Sequence, residues 1–93
     1  MSKIRHPTTE KYKLILANLG YANQTIESYS RHIDDLILST NENPYKISKY
    51  YIDSYLLNYN YSSKQNQNSI ISAIKIYCVE ILHIKKFNFT GIK

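Results

Sequence analysis

Two segments of the chain, residues 23–36 and 62–77, most constrain its fold. Each begins with a polar residue that can cap a helix. Each continues with apolar residues three and four positions apart, as Ile70, Ile74 and Tyr77 do in the second, and this spacing is typical of one helix face. No segment alternates with a period of two between turn signals, and no internal repeat is visible. The sequence therefore predicts an all-α chain.

Residues typical of helix starts and stops predict four helices. The starts are a proline or a polar cap residue, at Pro7, Asn23, Ser48 and Ser62 or Ser63. The stops are Gly20, which suits a left-handed end, the Asn- and Pro-containing break at residues 41–44, and the vicinity of Asn60. The fourth helix is expected to be the longest and the central element of the core.

The apolar positions of these helices predict one core. The core residues expected from helical periodicity are Leu16, Ile26, Ile33, Leu36, Ile52, Leu56, Ile70, Ile74, Tyr77 and Ile81. The apolar stripe of the first helix also includes Leu19. Of the ten tyrosines, those at apolar positions are expected to pack inside, namely Tyr12, Tyr29, Tyr51, Tyr55 and Tyr77. Those near helix ends could equally lie at the surface: Tyr21, Tyr45, Tyr50 and Tyr61.

The 93 residues suffice for one domain, and their net charge of +5 is unevenly distributed. Residues 1–22 carry a charge of +3, residues 23–63 carry −2, and residues 64–93 carry +4. A polyanionic partner such as DNA would explain basic chain ends. An AT-rich genome, whose codons favour Lys, Asn, Ile and Tyr together, would explain the same composition without any such partner.

Residues with the chemistry of an active site or a metal centre are scattered. The single cysteine, Cys78, falls on the apolar side of the fourth helix and is expected to be shielded. The three histidines lie far apart in sequence, without metal-ligand spacing. Asp34 and Asp35 are adjacent and are interpreted as part of a solvated face. We therefore expect no catalytic residue, no metal and no cofactor.

The polar faces of the second and fourth helices carry side chains suited to DNA. Serine and threonine can contact phosphates, lysine and arginine can contact phosphates or guanine, and glutamine and asparagine can pair with adenine edges. The candidate DNA-binding residues are Gln24, Thr25, Ser28, Arg31, His32, Lys64, Gln65, Asn68, Ser72 and Lys75. A solvated surface would also be polar, but the fourth-helix face lacks glutamate until Glu80.

The pattern Thr25-Ile26-x-x-Tyr29 and the stretch from Ser63 to Tyr77 resemble the SAM-like N-terminal, core-binding domain of tyrosine recombinases, the phage integrase family. The resemblance covers roughly residues 8–86. It implies a four-helix SAM-like orthogonal bundle whose second and fourth helices face the duplex. It also implies that the family's nucleophilic tyrosine belongs to a separate C-terminal catalytic domain, so this chain alone is expected not to be an enzyme.

On this interpretation, residues 1–7 are a flexible tail, residues 8–86 are the DNA-binding domain, and residues 87–93 begin a linker to the catalytic domain. The expected function is DNA binding in site-specific recombination or integration, gripping one side of the recombination-site duplex. The expected partners are double-stranded DNA, the catalytic domain of the same parent chain and other recombinase protomers, with no membrane and a prokaryotic, cytoplasmic, nucleoid-associated location. The alternatives are a helical protein-interaction module and a standalone DNA-binding regulator of a mobile element.

Overall fold

The computed structural model describes residues 6–84, which form four α-helices. They are α1 (Pro7–Asn18), α2 (Asn23–Ser39), α3 (Lys49–Asn58) and α4 (Lys64–Glu80). The described part of the chain contains no strand, so the all-α prediction is confirmed. Helix α4 is not the longest, because α2 and α4 both have 17 residues. Most of the expected tail and all of the expected linker, residues 1–5 and 87–93, lie outside the described residues.

Three of the helices have a side-chain hydrogen bond that caps their N-terminus. Ser48 Oγ accepts the Tyr51 backbone N–H at 3.1 Å, and Ser63 Oγ accepts the Asn66 N–H at 3.0 Å. Ser48 was predicted as a cap, and Ser63 as one of two alternatives with Ser62. Each satisfies a backbone donor that the first helical turn leaves without a partner. Helix α1 is capped by His6, whose Nδ1 accepts the Thr8 N–H at 3.1 Å.

The prediction of Asn23 as the cap of α2 is wrong by one residue. Ala22 has the extended backbone of a cap position, and Asn23 is already helical. Ala22 contributes no side-chain cap. At the end of α1, Gly20 has the predicted left-handed backbone, with φ of 89°. Leu19, expected in the apolar stripe, instead follows the helix and is largely exposed.

Helix α2 packs against both α1 and α4. All ten positions predicted for the core are buried, as is Cys78. Ile37, Ile47 and Ala73 extend the same cluster. Burial raises the pKa of the Cys78 thiol to about 12, with Asp53 adding to the effect, so the thiol is chemically quiet.

Two fully buried tyrosines connect elements that lie far apart in sequence. The Tyr12 hydroxyl donates to the Ala73 carbonyl at 2.8 Å, which ties α1 to α4. The Tyr77 hydroxyl donates to the carbonyl of Pro44 in the segment between α2 and α3. The two rings are in tilted contact, with centroids 5.9 Å apart. By contrast, the rings predicted at the other apolar positions are only half-buried: Tyr29, Tyr51 and Tyr55.

The interpretation of Asp34 as a solvated residue is wrong. Its side chain is buried, and its carboxylate accepts the Thr9 hydroxyl at 2.9 Å and the His6 backbone N–H at 3.1 Å. Asp34 lies at the edge of the buried face of α2, where the first turn of α1 covers it. Its neighbour Asp35 is exposed, as predicted. The carboxylate of Asp34 thus holds the start of α1 on α2.

Candidate nucleic-acid interface

The candidate residues of α4 lie on the side of the helix opposite its buried residues, here called the α4 outer face. Counting about 100° per residue from Ile70 places them between roughly 120° and 220°. Four are exposed and Ser72 is half-buried; the exposed ones are Lys64, Gln65, Asn68 and Lys75. No acidic residue occurs from position 63 to 79, so the α4 outer face has no carboxylate to repel a phosphate. Its one exposed apolar residue is Val79.

The start of α4 has additional features that suit an anion. The first turn contains Lys64 and no acidic residue. The partial positive charge of a helix N-terminus adds to the lysine charge. Asn66 Oδ1 accepts the Ser62 N–H at 3.2 Å, and Ser63 Oγ accepts the Asn66 N–H, so two side chains bind backbone N–H groups at this turn.

The candidate residues of α2 are less uniformly placed. Gln24 and Arg31 are exposed, whereas Thr25, Ser28 and His32 are half-buried. Burial lowers the pKa of His32, the Arg31 charge lowers it further, and the Asp35 charge opposes both effects. The lowered pKa favours the neutral imidazole, which can contact DNA as a hydrogen-bonding group.

An acidic residue, Asp35, lies within the polar face of α2 among the candidate DNA-binding residues. Asp35 falls at about 180° when the helix is counted from Ile26, between the directions of Arg31 and Ser28. It is exposed. Its carboxylate offsets the positive charge of Arg31, so α2 presents a face without net charge where α4 presents a basic one.

The four helices and their connections, residues 6–84, are here called the helical body, and their net charge is zero. Residues 6–84 contain seven Lys and Arg residues and seven Asp and Glu residues, a balance of 7 − 7 = 0. The five basic residues that produce the net charge of +5 all lie in the terminal segments: Lys3, Arg5, Lys85, Lys86 and Lys93. A long-range attraction to a polyanion would come from these segments, and the helices would contribute short-range contacts.

Other kinds of site find little support among the described residues. Within residues 6–84, no three His, Cys, Asp or Glu side chains come together as a group that could hold a metal ion. None of the described helices has the length and apolar character needed to cross a membrane. No protein-family model, curated protein or solved structure matches this chain.

Proposed function

We propose that this chain is a DNA-binding domain of the tyrosine recombinase type, a SAM-like four-helix bundle that grips one side of a duplex through α2 and α4. The observation that carries the proposal is the α4 outer face. It combines exposed Lys64 and Lys75 with the amides of Gln65 and Asn68, and lacks carboxylates. This combination offers phosphate contacts and base-edge contacts from one helix.

The basic terminal segments support the same function. Because residues 6–84 are neutral overall, the helical body alone has little general attraction for a phosphate backbone. The terminal lysines and arginine supply that attraction, while α4 supplies the surface that touches the duplex. In this scheme the bound chain needs a second, catalytic domain for any recombination chemistry.

Salt dependence of duplex binding tests the proposal. With about three to five phosphates neutralised, the slope of log K against log salt is expected near −3 to −4.5. Fluorescence anisotropy with a labelled duplex measures it. Lys64→Ala and Lys75→Ala should each reduce the steepness by about one, because each removes one phosphate contact. Lys49→Ala, the same charge change on α3, is the matched control and should alter the slope less.

The location of binding can be tested separately by amide chemical shifts. Addition of duplex DNA should shift the resonances of residues 63–75 most, and those of residues 24–32 next, leaving the exposed side of α3 around Lys49 unchanged. Equal losses for Lys49→Ala and Lys64→Ala would mean that only diffuse charge attracts DNA. No binding at high micromolar DNA and low salt would contradict the proposal altogether.

A helical protein-interaction module is the second candidate, and the outer side of α3 favours it. Tyr50 is 88% exposed and Leu57 is 63% exposed, and the two residues are about two helical turns apart on α3. Large exposed apolar and aromatic side chains are typical of the centres of protein interfaces. A DNA titration without response would leave this candidate as the better one.

A further inference from the structure

An open groove of about 390 Å³ lies along α3 and the residues that follow it, from Tyr51 to Asn60. Six uncharged side chains line it: Tyr51, Ser54, Tyr55, Asn58, Tyr59 and Asn60. Residues 50–63 contain no Lys, Arg or His, and Asp53 is their one charged residue. The groove therefore has no positive charge of its own.

Tyrosine rings form a continuous row along this groove. The ring centroids of Tyr51 and Tyr55 are 6.3 Å apart, those of Tyr55 and Tyr59 are 5.7 Å apart, and those of Tyr59 and Tyr61 are 5.0 Å apart. All four side chains are half-buried, so each ring keeps part of its surface in contact with solvent. The face of a tyrosine ring carries partial negative charge and attracts cations.

The end of α3 contributes oxygen atoms to the same place. The last four carbonyls of a helix lack intrahelical partners and carry partial negative charge. No basic residue occurs in the last turn of α3 to balance them. One of these four, the Leu56 carbonyl, is already engaged because it accepts the Tyr61 hydroxyl at 2.8 Å. The Asn58 amide nitrogen donates to the Ser54 carbonyl at 3.0 Å, which leaves the amide oxygen of Asn58 as an acceptor.

A carboxylate on α2 reinforces the negative potential. Burial is the main cause that raises the pKa of the Tyr55 hydroxyl, and the negative charge of Asp35 is among the causes that raise it further. The Asp35 charge therefore acts on the wall of the groove. Rings, carbonyls and carboxylate all favour a cation, and they disfavour the phosphates of DNA.

We propose that this groove binds the guanidinium group of an arginine side chain presented by a partner protein. A guanidinium is planar, stacks on aromatic rings, and has five N–H donors and no acceptor. The groove offers ring faces and oxygen acceptors to match these properties. An ammonium group fits less well, because it is compact, strongly hydrated and unable to stack. This inference does not depend on the proposed DNA binding.

A titration of the full 93-residue chain with N-acetyl-arginine amide, followed by amide chemical shifts, tests the proposal. N-acetyl-citrulline amide is the matched ligand control, because it has nearly the same shape without the charge. We expect saturable shifts in residues 51–60 with the arginine compound and at least fivefold weaker binding of the citrulline compound, roughly the range of a cation–π contact. The net charge of the chain would not explain tighter binding of the positively charged arginine compound, because that net charge is +5 and repels cations.

Variants on α3 sharpen the test. Tyr59→Leu removes one ring face and should weaken arginine binding about two- to fivefold, whereas Tyr59→Phe keeps the face and should bind nearly as well as the natural chain. Tyr50→Leu is the control, because Tyr50 is exposed on the same helix outside the groove and should leave the affinity unchanged.

A further variant, Asp35→Asn, tests arginine binding if Tyr59→Leu fails to fold. Asp35→Asn changes an exposed side chain and should weaken arginine binding about 1.5- to fivefold, as for an exposed ion pair. Equal binding of the arginine and citrulline compounds, or shifts that fall outside the groove, would overturn the proposal. So would a Tyr50→Leu variant that loses as much affinity as Tyr59→Leu.

Discussion

Replacement of Asp34 by alanine tests how α1 is held on α2. The carboxylate accepts the Thr9 hydroxyl at 2.9 Å and the His6 backbone N–H at 3.1 Å. A hydrogen bond to a charged group contributes about 1.5–3 kcal/mol. Thr9 is fully buried and would be left without an acceptor, whereas the half-buried His6 can regain water. The expected loss in the free energy of unfolding for Asp34→Ala is therefore about 2–4 kcal/mol.

Urea unfolding followed by circular dichroism at 222 nm measures this loss. Asp35→Ala is the matched control, because the neighbouring carboxylate is exposed, and it should cost less than about 0.5 kcal/mol. A double-mutant cycle with Thr9→Val should give a coupling energy of about 1 kcal/mol or more, since the two side chains share one hydrogen bond. A loss below about 0.5 kcal/mol for Asp34→Ala would show that the carboxylate lies in water and that the described contact with α1 is absent.

Three further predictions concern the core, the thiol and the turn after α1. Ile74→Ala should lower the free energy of unfolding by about 2–5 kcal/mol in the same urea assay, because Ile74 is fully buried; a loss below about 0.5 kcal/mol would place it at the surface. Because burial raises the pKa of the Cys78 thiol to about 12, its contribution to stability should be complete below about pH 9 and fall as the pH rises towards 12, and a thiol reagent at pH 8 should react at the rate of unfolding. Rapid labelling of the folded chain would contradict this. Gly20→Ala should cost about 1–2 kcal/mol, and Gly20→Asn less, because φ is +89° and no atom lies within 4 Å of an added Cβ, so only backbone strain contributes; equal stabilities of the two variants would refute that cause.

The sequence alone was sufficient for the features of the fold that depend on local interactions. Helical periodicity correctly identified ten buried positions, from Leu16 to Ile81, because an apolar face repeats every 3.6 residues whatever it packs against. Ser48 was correctly identified as a cap, and the cap of α4 was narrowed to Ser62 or Ser63, because a cap bonds to a backbone N–H two or three residues away. The left-handed backbone at Gly20 follows from the same local chemistry.

The sequence was also sufficient to divide the polar faces of α2 and α4 from their buried faces, and so to place Lys64 and Arg31 at the surface. It was not sufficient at the edges between the two faces. His32 and Thr25 lie there and are half-buried, because neighbouring elements cover part of that edge. Periodicity gives the direction of a side chain from its own helix but contains no information on how far the next helix reaches around it.

Only the tertiary structure showed the role of Asp34 and the groove on α3. Asp34 and Asp35 are identical residues side by side, and one is buried because the start of α1 lies over it. The rings of Tyr51 and Tyr55 were expected inside the core, but they are half-buried and line the groove together with Tyr59. Whether an edge position becomes core, surface or binding site depends on contacts between helices distant in sequence, and the local pattern of a single helix does not contain those contacts.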